Sequence, residues 1–187
     1  MSQITSLLEK SKQEKELLSF YIYGDDEKFW CGYVIDYSEE FVAIQHFTKL
    51  GEKDGIVIHP INQFERIDYK DTYIKSMEYI IENKALIQQV KDANFKFSNK
   101  ESYFLSLLNQ LVGNKDIMGS FQISNNDYYT GYVIDISDID FIVNCVGSAG
   151  EELGMSILKI EDITNIRIDD GDNRKRDILF KRKKASL

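Results

Sequence analysis

The chain has 187 residues, of which 43% are apolar, 29% charged and 12% aromatic, and its formal net charge is -8. This is a globular composition rather than a disordered one, and the length suits two small domains. The acidic balance argues against a folded surface that wraps nucleic acid or an anionic membrane. No run reaches the roughly 18–20 apolar residues of a membrane span. Met1-Ser2-Gln3-Ile4 has neither the basic nor the apolar region of a signal peptide, so the expected location is cytoplasmic.

Taken in chain order, Ile4, Leu7 and Leu8 predict an N-terminal helix. Asp25-Asp26-Glu27 reads as a hairpin tip. Lys28 to Tyr37 and Phe41 to Phe47, rich in aromatic and β-branched residues, read as strands joined by the polar turn Ser38-Glu39-Glu40. Leu50 to Gly55 reads as a loop and Ile56 to His59 as a strand. Pro60 marks a bend or an edge, and Gln63 to Tyr69 closes the unit. Tyr73, Met77, Ile80, Ile81, Ile87 and Val90 recur near a helical period. Ser98 with Glu101 forms a capping-box pattern ahead of Tyr103, Phe104, Leu107, Leu108, Leu111 and Val112.

The second half then repeats the first. Gly32-Tyr33-Val34-Ile35-Asp36 returns as Gly131-Tyr132-Val133-Ile134-Asp135. In the same register Gly51 matches Gly150, Gly55 matches Gly154, and Ile58, Ile61 and Ile67 match Ile157, Ile160 and Ile166. The predicted fold is mainly β with helices (α+β), a tandem repeat of a helix plus a five-stranded small barrel. The expected segments are 1–70, a helical linker 71–98, 99–170, and a basic tail 171–187.

In the Gly-Tyr-Val-Ile-Asp strand, Trp30 and Val34 line one face and Phe29, Cys31, Tyr33 and Ile35 the other. Two apolar faces imply an outer cover, supplied by neighbouring helices or the sister repeat. Phe29, Cys31, Tyr33 and Ile35 are therefore the candidate interface. Asp36 and Asp135, retained at matching positions, read as structural hydrogen-bond acceptors that shape the bend.

With its N-terminal helix, bent strand centred on Gly32, polar turn, strand, variable loop and two short strands, each copy resembles the Sm-like fold, one of the SH3-like small barrels. The resemblance implies strongly bent five-stranded barrels and assembly edge to edge. It does not extend to the RNA-reading signatures. The turn after the second strand reads Ser38-Glu39-Glu40-Phe41 and Ser137-Asp138-Ile139-Asp140, and the last turn offers His59-Pro60 and Leu158-Lys159.

The charge is unevenly divided. Residues 20–71 carry -6 and residues 119–170 carry -8, whereas residues 171–187 carry +5. The tail cations Arg174, Lys175, Arg176, Lys181, Arg182, Lys183 and Lys184 can remain solvated, dock on an acidic barrel, or meet nucleic acid or anionic lipid. Cys31 and Cys145 read as packed thiols, and no CxxC or HxxxH spacing points to a metal. His46 and His59 lack a nucleophile partner, and no nucleotide or hydrolase motif occurs. Asp169-Asp170-Gly171-Asp172 reads as a polar turn rather than a calcium loop. The expectation is a non-catalytic interaction or scaffolding protein without cofactors, binding a protein partner or itself. The alternative is an RNA-binding module that uses the basic tail.

Overall fold

The computed structural model describes residues 2–24, 29–90, 94–97, 102–124 and 127–186. The chain divides into two compact units, Met1–Lys84 and Ala85–Leu187. Helix α1 (Gln3–Glu14) starts at Ser2, whose hydroxyl accepts from the Thr5 amide, and stops at Lys15 in the left-handed region. Five strands follow: β1 (Leu18–Ile22), β2 (Phe29–Tyr37), β3 (Phe41–Phe47), β4 (Lys53–Pro60) and β5 (Phe64–Asp68), with a 3-10 turn at Ile61–Gln63. Helix α2 (Thr72–Glu82) and the short α3 (Lys84–Gln88) come next. The second series runs α4 (Tyr103–Leu111), β6 (Gly119–Ile123), β7 (Asp127–Ile136), β8 (Asp140–Val146), β9 (Glu152–Lys159), β10 (Ile163–Ile168) and α5 (Gly171–Ala185).

The protein is thus mixed α and β with two five-stranded antiparallel sheets. Their orders are β4-β3-β2-β1-β5 and β9-β8-β7-β6-β10, the same topology twice. A closed barrel is not formed. Among the described residues no ladder joins β4 to β5 or β9 to β10. The 3-10 turns at Ile61–Gln63 and Ile160–Asp162 reverse the chain and deliver β5 and β10 to the far side of β1 and β6.

Each sheet bends because its second strand approaches the third too closely for a side chain. A Cβ on Gly32 would lie 2.0 Å from the Gln45 carbonyl oxygen, and one on Gly131 would lie 1.9 Å from that of Asn144. Register shifts follow at Val34/Asp36 and Val133/Asp135. There Asp36 and Asp135 each accept the amide of the next residue, the structural role read from the repeat.

The concave face holds the core. In the first unit it comprises Leu8 of α1 with Leu18, Phe20, Val34, Val42, Ile44 and Phe64. In the second, Leu107, Leu108 and Leu111 of α4 meet Phe121, Val133, Phe141 and Val143. Each such side chain contributes about 1.5–3 kcal/mol by burial.

A second helix closes each repeat. Asp71 caps α2 by accepting from the Ile74 amide, and Asp170 caps α5 by accepting from the Asn173 amide. The residue before each cap, Lys70 or Asp169, has a positive φ. The helices then press on matching loop glycines. A Cβ on Gly51 would lie 2.9 Å from Ile80, and one on Gly150 would lie 2.5 Å from the Leu179 backbone. The segment expected as a basic tail is therefore the closing helix of the second repeat, equivalent to α2.

Other expectations shift at element ends. β4 begins at Lys53 instead of Ile56, because the turn Thr48–Gly51 is already closed and Lys53 pairs with Phe47. The helical period expected to run to Val90 breaks after α2. Val90 lies beyond α3 and is exposed. The tip Asp25-Asp26-Glu27 and the Ser98–Glu101 capping box fall outside the described residues.

Candidate functional site

β2 displays Phe29, Cys31, Tyr33 and Ile35 on the convex side, and α2 of the same unit covers the start of that row. Tyr73 of α2 meets the Phe29 ring edge-on with centroids 5.0 Å apart. Cys31 is 2% exposed, and burial pushes its thiol up to about 12. Tyr33 leans on Phe47 of β3, with Lys15 above its ring. Ile35 is exposed. Of the four candidate interface residues, the structure leaves only Ile35 largely open to solvent.

The tail cations are drawn onto the second unit. Arg174 donates to the Ile87 and Asp169 carbonyl oxygens, and its guanidinium lies 3.5 Å from the Asp169 carboxylate. Arg176 donates to the Val146 carbonyl at 3.0 Å. Lys181 reaches Asp177 at 3.0 Å and Asp116 at 3.8 Å, and Lys184 reaches Glu152 at 2.7 Å. Hydrogen bonding to Lys184 holds the Glu152 carboxyl below its ordinary range. Lys175 and Arg182 also have partners, and Lys183 is exposed. Asp177 accepts from the Tyr132 hydroxyl, whose own ionisation is raised first by burial and then by that bond.

The histidines are packed. His46 Nδ1 lies 3.0 Å from the Cys31 carbonyl, and its ring meets Trp30 edge-on. His59 stacks on Phe64. Among the described residues no three His, Cys, Asp or Glu side chains are grouped to hold a metal ion. No helix of the described residues is long and apolar enough to cross a membrane.

The open surface that recurs in both repeats is the outer edge of the sheet. β4 and β9 are terminal strands, and among the described residues of each unit nothing pairs with their outer side. β4 exposes Ile56 (62%) and Ile58 (70%), and β9 exposes Leu153 (65%), Met155 (69%) and Ile157 (70%). Ile56 and Ile58 stand at the positions of Met155 and Ile157. Ile35 and Phe41 in the first unit and Ile134 and Ile139 in the second are also exposed. The intervening Val57 turns inward to the first core, and Leu158, the residue after Ile157, turns inward to the second. Such a stripe on an open edge is what soluble proteins ordinarily avoid.

Sequence reading passed over these five residues because an apolar strand looks like a core strand. Two signals pointed the other way. Pro60 ends β4 as an edge marker, and Gly154 interrupts β9 at a positive φ of 89°, where the register shifts and the strand bulges. No family model matches the chain, and neither a curated protein nor a solved structure matches it.

Proposed function

We propose that this is a non-catalytic interaction protein of two Sm-like or SH3-like repeats that assembles through its open sheet edges. The observation that carries the reading is the pair of matching apolar stripes on β4 and β9. Main-chain groups on an unpaired strand supply affinity to an added strand, and the exposed side chains beside them supply selectivity. Burial raises the Cys31 thiol, so it is no activated nucleophile, in keeping with a role in binding.

Light scattering on the full chain tests this. The expected mass exceeds 21.7 kDa and falls toward a single chain when Ile58→Lys and Ile157→Lys are combined. A single-chain mass at every concentration overturns the reading.

A further inference from the structure

We propose that β9 pairs with β9 of a second copy of the chain, antiparallel and centred on Met155. The inference rests on the edge-assembly reading and names its partner and register. The first support is the direction of the main-chain groups. Ile160 donates its amide to the Ile139 carbonyl, continuing the β8–β9 register in which Leu158 faces Phe141 and Ser156 faces Val143. Hydrogen-bonded pairs alternate along an antiparallel ladder. Leu158, Ser156 and Gly154 therefore spend their main-chain groups on β8. Met155, Ile157 and Lys159 aim theirs at the open side, and Leu153 is the bulged residue beyond them. The residues with free main-chain groups are thus the ones whose apolar side chains are exposed.

The second support is complementarity about one two-fold axis. With Met155 opposite its own counterpart, Leu153 meets Ile157 of the partner subunit and Ile157 meets Leu153 of the partner subunit. One step further out the register shifts at Cys145/Val146, and Glu151 gives its carbonyl to the Gly147 amide and its carboxylate to the Ala149 amide, so the row ends at Leu153. The register thus sets one apolar row against its own copy, as an isologous contact requires. Between Leu153 and Ile157 the strand carries none of the lysines or prolines that commonly blunt an edge.

The other edges fit less well. Pairing β4 with itself sets Ile56 against Ile58 but brings Asp54 opposite Pro60, which has no amide to donate. β5 exposes Glu65 and Arg66, and β10 exposes Thr164, Asn165 and Arg167. Neither offers an apolar row to β9.

The test uses thiol cross-linking with a short bifunctional reagent on the full chain, with light scattering alongside. Cys31 and Cys145 are 2% and 7% exposed, so a thiol placed at position 155 reacts ahead of both. Met155→Cys is expected to give a cross-linked dimer, and Ile58→Cys is not. Ile157→Lys, at a position 70% exposed, is expected to weaken association at least about tenfold without loss of folding, as its near-native circular dichroism would show. Association that persists with cross-linking at position 58 and not at 155 overturns the β9 register and leaves the edge-assembly reading standing. A single-chain mass throughout overturns that reading and this inference with it.

Discussion

Ser19 and Ser120 occupy the same place in the two sheets and face opposite circumstances. Ser19 pairs with Cys31 across β1 and β2, and its buried hydroxyl has no hydrogen-bond partner among the described residues. Ser120 pairs with Thr130 across β6 and β7. Its hydroxyl lies 2.8 Å from the Thr130 hydroxyl and 2.7 Å from Asn173 Oδ1 on α5. Asn173 is fully buried and donates its amide to the Arg167 carbonyl. Where the second repeat has Thr130 and Asn173, the first has Cys31 and Ile74. A buried hydroxyl without a partner costs about 1–3 kcal/mol, and a satisfied one contributes about 1 kcal/mol. Ser19→Ala is therefore expected to leave stability unchanged or raise it by about 1 kcal/mol. Ser120→Ala strands two neighbours and is expected to cost about 1–3 kcal/mol. Denaturant unfolding checks both, with Trp30, the single tryptophan, reporting the first unit and circular dichroism the whole chain. Equal losses at the two serines would refute the contrast. None of this was legible in the sequence. The offset that aligns β2 with β7 does not align β1 with β6, so the serines did not appear as equivalents.

The closing helices carry the contrast to the scale of elements. α2 meets its sheet through Ile74, Met77 and Ile80, all 1% exposed or less. At the equivalent positions α5 has Asn173, Arg176 and Leu179, so its seam joins polar contacts to the apolar ones of Leu179 and Phe180. α5 also runs past the length of α2, and in that extension Lys184 pairs with Glu152 at the start of β9. The sequence made α1, the strands and α2 legible through apolar periodicity, but α5 has almost none. Its basic run carries charge but no helical period, and its helix signal is Asp170 three residues before Asn173, a cap of the kind Asp71 gives α2. Glu152 is held below its ordinary value of 4.5, chiefly by its hydrogen bond to Lys184. Its contribution is therefore present above that ordinary value and is lost as pH falls through the lower folded value. Amide protection in the last turns of α5, taken relative to that of α2, which is held by apolar contacts, is expected to fall below about pH 4.5. Glu152→Gln is expected to bring the lower protection to neutral pH and flatten its pH dependence. Unchanged α5 protection in both experiments would show that the ion pair does not hold the helix.

At the scale of the molecule, charge and apolar surface oppose each other. Each copy carries a net charge of -8, and the residues from 119 to 170, which include β9, carry -8 by themselves. Two copies meeting edge to edge bring like charge together over a distance that salt screens, since the Debye length is about 8–10 Å at physiological ionic strength. The apolar row from Leu153 to Ile157 is not weakened by salt. Exposed ion pairs at the rim contribute only about 0–1 kcal/mol each. Screening of the net repulsion is thus the larger effect, and self-association is expected to strengthen as salt rises from low to physiological concentration. Lowering the pH toward the isoelectric value of about 4.9 acts in the same direction, because it removes the net negative charge. Binding of a polyanion by the α5 cations has the opposite sign, since counterion release makes such complexes weaken steeply with salt. Sedimentation across a salt series at constant pH separates the two. A dimer fraction that grows with salt places the association on the apolar edges, and one that falls places it on charge contacts instead.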